Sequence, residues 1–81
     1  MEEVDLLFIE GLALNGLVED AKVIEEGGKA RLWVRTIDGK EYVSKRDDPG
    51  SVRKSYFLVR VYSQWGKLIN QPMKSGITSD R

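Results

Sequence analysis

Two tight-turn signals, Gly27-Gly28 and Asp38-Gly39, stand on either side of a run whose chemistry alternates, Ala30-Arg31-Leu32-Trp33-Val34-Arg35-Thr36-Ile37. Gly-Gly and Asp-Gly pairs supply the positive φ angles that a two-residue hairpin loop demands, so the chain is expected to double back at both points. Three neighbouring antiparallel strands follow, over Asp20 to Glu25, Ala30 to Ile37 and Lys40 to Lys45. A chain of 81 residues holding three such strands has room for one domain and one modest core.

Successive strand side chains point to opposite faces. In the central strand, Arg31, Trp33, Arg35 and Ile37 therefore share one face, and Leu32, Val34 and Thr36 the other. A two-residue Asp38-Gly39 loop sets Ile37 opposite Lys40, Arg35 opposite Tyr42, Val34 opposite Val43 and Trp33 opposite Ser44, which adds Lys40 and Tyr42 to the arginine face. A further segment, Ser55-Tyr56-Phe57-Leu58-Val59-Arg60-Val61-Tyr62, reads as a strand with Phe57, Val59 and Val61 toward the core and Tyr56, Leu58, Arg60 and Tyr62 outward. The expected fold class is all-β, a small OB-like barrel or a strongly curved antiparallel sheet.

Elsewhere the signals are local. Leu12 to Val18 reads as the start of the strand that continues through Asp20, with Gly16 permitting a bend. Residues 2–10 fit a strand on the alternation of Val4, Leu6 and Phe8 and equally a helix on the spacing of Val4, Leu7, Phe8 and Leu12, with the strand preferred. Asp47-Asp48-Pro49-Gly50-Ser51 has loop composition and is expected to be a mobile arm. Trp65 is expected to pack at the sheet end. Residues 1–74 form the expected domain, with 75–81 a flexible tail.

The inventory closes several function classes. There is no cysteine and no histidine, so no thiolate or imidazole metal site and no Cys/His or Ser/His catalytic pair can be assembled. The adjacent acids Glu2/Glu3, Glu19/Asp20 and Glu25/Glu26 point to opposite faces of a strand and do not converge on an ion. The expectation is a non-enzymatic protein with no cofactor. No run approaches the roughly 20 apolar residues that span a bilayer, and the acidic start Met1-Glu2-Glu3-Val4-Asp5 is unlike a secretory signal, so no membrane partner and a cytoplasmic location are expected.

Zero net charge conceals a split. Residues 1–28 hold eight acids against one base, a net of −7, and residues 29–81 hold twelve bases against five acids, a net of +7. Such asymmetry suggests nucleic-acid contact through the basic part, unless the acidic part folds back to neutralise it. Aromatic rings beside guanidinium groups on a solvated sheet can stack on bases and hold the accompanying phosphates. The candidate nucleic-acid-binding residues are Arg31, Trp33, Arg35, Lys40, Tyr42, Lys45, Arg46, Arg53, Lys54, Tyr56, Arg60 and Tyr62, with Lys45, Arg46, Arg53 and Lys54 flanking one loop as a clamp.

From about Leu12 to Leu68 the order of features resembles the first part of bacterial single-stranded DNA-binding proteins of the OB-fold type. The resemblance is carried by Leu14-Asn15-Gly16-Leu17, Gly27-Gly28-Lys29, Leu32-Trp33-Val34, Tyr56-Phe57-Leu58-Val59-Arg60-Val61 and Trp65-Gly66-Lys67-Leu68. It implies binding of single-stranded nucleic acid, DNA before RNA, with little sequence preference. That family continues with strands closing a five-stranded barrel, whereas thirteen residues follow Leu68 here. Closure is then expected from residues 4–10 or from a second subunit, unless the fold is not a true OB barrel; a homodimer would match small phage and plasmid single-strand binders. Trp65-Gly66-Lys67 also resembles the WGR modules, with lysine in place of arginine. The alternative expectation is a protein-interaction or assembly module of phage or plasmid type, because interfaces favour the same Arg, Trp and Tyr side chains.

Overall fold

The computed structural model describes residues 1–70, with side chains through Ser63. Expectations for 71–81, and for the side chain of Trp65, lie outside these residues. The order is β1 (Glu2–Val4), α1 (Leu6–Leu14), β2 (Val18–Glu26), β3 (Lys29–Thr36), β4 (Glu41–Ser44) and α2 (Pro49–Asn70). The strands form one mixed sheet in the order β1-β4-β3-β2, parallel between β1 and β4 and antiparallel elsewhere. The sheet stays open instead of closing into a barrel.

The first hairpin forms as its glycines dictate. Gly27 and Gly28 adopt φ of 61° and 77°, and Glu26 pairs with Lys29 across a two-residue loop. At the second turn Gly39 takes a positive φ, 89°. Its N–H donates to the Thr36 carbonyl at 2.9 Å, while the Thr36 N–H donates to the Lys40 carbonyl at 2.8 Å. The loop is therefore the three residues Ile37-Asp38-Gly39, the commonest alternative to a two-residue hairpin. The extra residue shifts the expected register by one, pairing Trp33 with Val43 and Val34 with Tyr42. Tyr42 consequently moves to the core face.

Two expected strands are helices. Leu12 to Val18 contains the end of α1, whose closing residues make a Schellman cap. Gly16, at φ 73°, donates to the Ala13 carbonyl at 2.9 Å, and Leu17 donates to the Leu12 carbonyl at 2.9 Å. Gly16 thus ends a helix rather than bending a strand. Only Glu2–Val4 of the expected strand over residues 2–10 is extended.

The stretch from Ser55 to Tyr62 lies inside α2, which starts within the expected arm. Oδ2 of Asp48 accepts the Ser51 N–H at 3.1 Å, and Pro49 occupies the first helical position, where its missing donor costs nothing. Asp47 is held as well, exchanging two 2.9 Å backbone bonds with Ala30. Val52, Ser55 and Val59 are buried at helical spacing, and burial of that stripe outweighs the strand preference of valine, tyrosine and phenylalanine.

Both helices cover one sheet face. Ile9 and Ala13 of α1 and Val52 and Val59 of α2 share a buried cluster with Val18, Ala21, Ala30, Leu32 and Val34 of the sheet. Near the edge of this core, the buried Ser44 hydroxyl accepts the Leu32 N–H at 2.8 Å and donates to the Lys45 carbonyl at 3.1 Å. The bond from Leu32 lies between the last β3–β4 pair, Trp33 with Val43, and the isolated bridge of Ala30 with Asp47.

Candidate functional site

The helix-free face of the sheet is built around Trp33. Cross-strand register places Lys22 and Val43 opposite it, and the same face carries Lys29, Arg31, Arg35, Asp20, Ile24, Glu26, Glu41 and Glu3. The expected grouping of Arg31, Trp33 and Arg35 on one face is present. Four bases on that face are matched by four acids, so its charge is balanced.

Trp33 is not an open stacking platform. Only 8% of its surface is exposed. Its indole N–H donates to Oε1 of Glu41 at 3.0 Å, the Lys22 ammonium lies 4.8 Å from the ring centroid, and the Arg35 guanidinium carbon lies 6.0 Å away. Lys22 was not among the candidates. The signal for it was available, because Glu26-Gly27-Gly28-Lys29 fixes the β2–β3 register and with it the Lys22–Trp33 pair.

The acidic part of the chain folds back on the basic part. Arg31 pairs with Glu3 at 3.7 Å, Arg35 with Glu19 at 3.2 Å, Lys45 with Asp5 at 3.6 Å, Arg46 with Glu26 at 3.5 Å and Arg53 with Glu25 at 2.8 Å. Every one of these pairs joins residues 1–28 to residues beyond 28. Exposed pairs contribute about 0–1 kcal/mol each, so they partly neutralise the field without locking it. The Arg31 Nε is buried without a hydrogen-bond partner among the described residues.

Arg46 reaches the edge of this face through Glu26, whereas Tyr42, Tyr56, Tyr62, Arg53, Lys54 and Arg60 do not join it. Tyr42 packs against the core and meets Phe8 edge to face, with ring centroids 5.4 Å apart. Tyr56 and Tyr62 are half-buried on α2, against the same core. Arg60, one turn after Tyr56, donates to its hydroxyl at 3.0 Å. Arg53, Lys54 and Arg60 are carried by α2, across the sheet from Trp33, so the expected clamp is divided, its Arg53 and Lys54 away from the stacking platform and its Arg46 paired with Glu26 of the Trp33 face. Lys40 lies at the β3–β4 turn beside an apolar groove of about 280 Å³ formed by Leu12, Leu17, Ile37 and Tyr42. In that turn Asp38 accepts a hydrogen bond from the Thr36 hydroxyl, which holds the Asp38 carboxyl below the usual carboxylate range.

Sequence reasoning missed a second feature, the outer surface of the helix layer. Helix α1 is apolar nearly all round, and Leu7 and Leu14 remain 79% and 69% exposed. On α2, Phe57 and Val61 are 67% and 45% exposed. A strand over Ser55 to Tyr62 would put Phe57 and Val61 on the core face; the helix turns them outward.

No helix among the described residues is long and apolar enough to cross a membrane. In comparisons with known proteins, the chain matches no family model, no curated protein and no solved structure.

Proposed function

We propose that this domain is a non-enzymatic protein-interaction module whose contact surface is the outer face of the helix layer. The observation that carries the reading is the exposure of Leu7, Leu14, Phe57 and Val61 on two helices packed side by side over one core. Scattered surface leucines are ordinary, but a short helix that is apolar on its solvent side as well as its core side is what an interface element looks like. The opposite face of the sheet, with balanced charge and a covered ring, offers less to a partner.

Photo-crosslinking side chains placed singly at Leu14, Phe57 and Lys22 test the reading in cells. Protein adducts from positions 14 and 57, and few from position 22, are the expected result. Adducts confined to position 22, or none at any position, overturn it.

A second reading, binding of single-stranded nucleic acid with little sequence preference, is supported by the Lys22–Trp33–Arg35 stack on a sheet face that no helix covers among the described residues. A base stacked on Trp33 contributes about 1–3 kcal/mol, against about 0.5–1 kcal/mol for a solvent-accessible cation over the ring, so a base can displace Lys22. The four acids of that face weaken the phosphate contribution and rank this reading second. Titration with a thymidine oligomer, in a Trp65→Phe background so that Trp33 alone fluoresces, should quench Trp33 with affinity that falls as salt rises. Absence of quenching at low salt removes this reading.

A further inference from the structure

We infer that the partner of the helix layer is a second copy of this chain, bound so that α1 of one copy lies along α2 of the other. The inference rests on the reading of the helix layer as a protein contact surface. The outward stripe of α1 consists of Leu7, Glu10, Gly11 and Leu14, spaced i, i+3, i+4 and i+7. The outward stripe of α2 consists of Lys54, Phe57 and Val61, spaced i, i+3 and i+7. The two stripes have the same length, with an apolar residue at the ends of one and at the middle and end of the other.

Charge complements across them. Between its first and last residues α1 carries one charge, Glu10, and no base, while α2 from Pro49 to Ser63 carries Arg53, Lys54 and Arg60 and no acid. Glu10, Lys54 and Arg60 have no ion-pair partner among the described residues. Placing α1 against α2 of a second copy brings Glu10 toward Lys54. A two-fold axis makes the same contact twice, which is the economy of an isologous interface.

Shape complements as well. Gly11 sits in the middle of the α1 stripe, and a Cβ built there meets nothing within 4 Å among the described residues. Among those residues nothing calls for glycine at this point, and alanine would raise helix propensity. A gap between two exposed leucines is where the Phe57 ring of a second copy fits, because the missing side chain lets the α2 stripe approach closely. Gly11 is thereby explained by the interface and not by the fold.

Sedimentation equilibrium of the purified protein tests this, with circular dichroism confirming that each variant is folded. The wild type should dimerise at micromolar concentration. Gly11→Leu should keep the helical signal and weaken dimerisation by more than about tenfold. Glu10→Lys and Lys54→Glu should each weaken it several-fold, and the double reversal should recover most of the loss. A wild type that is monomeric at about 0.5 mM, where a 10 μM dimer would be almost fully formed, overturns the inference. So does a Gly11→Leu protein that dimerises as well as the wild type, or charge reversals whose effects simply add. If the wild type is monomeric while positions 14 and 57 still crosslink to protein in cells, the inference fails and the interaction reading stands; if those positions capture nothing, both fail.

Discussion

The indole N–H of Trp33 and the Glu41 carboxylate, 3.0 Å apart, lie on neighbouring strands, two residues out of direct register. Val43 is the residue facing Trp33, so Glu41 reaches diagonally across the sheet to cap the ring edge while Lys22 covers its face. A tryptophan on a helix-free sheet surface is in this way hidden by its neighbours' side chains. The burial is therefore conditional on charged groups that can move.

Replacing Glu41 with alanine should uncover the ring. In a Trp65→Phe background, acrylamide quenching of Trp33 should increase, and urea unfolding should show a loss of about 1 kcal/mol, typical of one net hydrogen bond. Unchanged quenching would mean that Lys22 and Arg35 shield the ring alone.

The start of α2 depends on Asp48. Asp48→Ala removes the acceptor for the Ser51 N–H and should cost about 1 kcal/mol in denaturant unfolding. Gly16→Ala should cost a comparable amount, because the Schellman cap holds Gly16 at φ 73°. Gly11→Ala, on the same helix with no such constraint, should leave monomer stability equal or higher.

Ile9 is fully buried between the helices and the sheet. Truncation to alanine should destabilise the domain by about 2–5 kcal/mol, a large part of the stability of a domain this small. Thermal unfolding followed at 222 nm measures it; a loss below 1 kcal/mol would place Ile9 outside the main core.

Acid should loosen the β3–β4 turn. The hydrogen bond from Thr36 depresses the Asp38 pKa in the folded state, so its contribution is present above the unfolded carboxyl pKa and is lost as pH falls through the lower, folded one. Carbon-detected NMR titration should show the Asp38 carboxyl protonating at lower pH in the folded protein than in the urea-unfolded chain. Thr36→Val should move that midpoint upward; identical midpoints in the two proteins would sever the link.

The middle of the chain was legible because its signals are short-range. Gly27-Gly28 determines the β2–β3 hairpin outright, and alternation correctly sorts Arg31, Trp33 and Arg35 from Leu32 and Val34. Asp38-Gly39 marked a turn but not its length, and one extra loop residue carried Tyr42 through the sheet. The helices were lost to ambiguity of period. A window opening at Ser55 shows Phe57, Val59 and Val61 two apart, whereas one opening at Val52 shows Val52, Ser55, Tyr56 and Val59 at helical spacing. Asp48-Pro49 supplied the start signal, although its composition also suits a loop. The charge split suggested nucleic-acid contact and left fold-back of the acidic part as the alternative, and the ion pairs join the two parts as that alternative has it. The helix-layer surface was not legible, since exposure of Phe57 follows only once α2 is a helix resting on the sheet.

The parallel pairing of β1 with β4 orders events in time. Both hairpins and both helices close over short stretches, but Glu3 meets Val43 only after the intervening forty or so residues have been arranged, a loop whose closure costs more entropy than any hairpin here. Glu2–Val4 are thus the last to be secured, acting as a latch on an already formed β2–β3–β4 meander. Anything that holds Glu2–Val4 elsewhere leaves that meander intact with the outer side of β4 unpaired, open to an incoming strand.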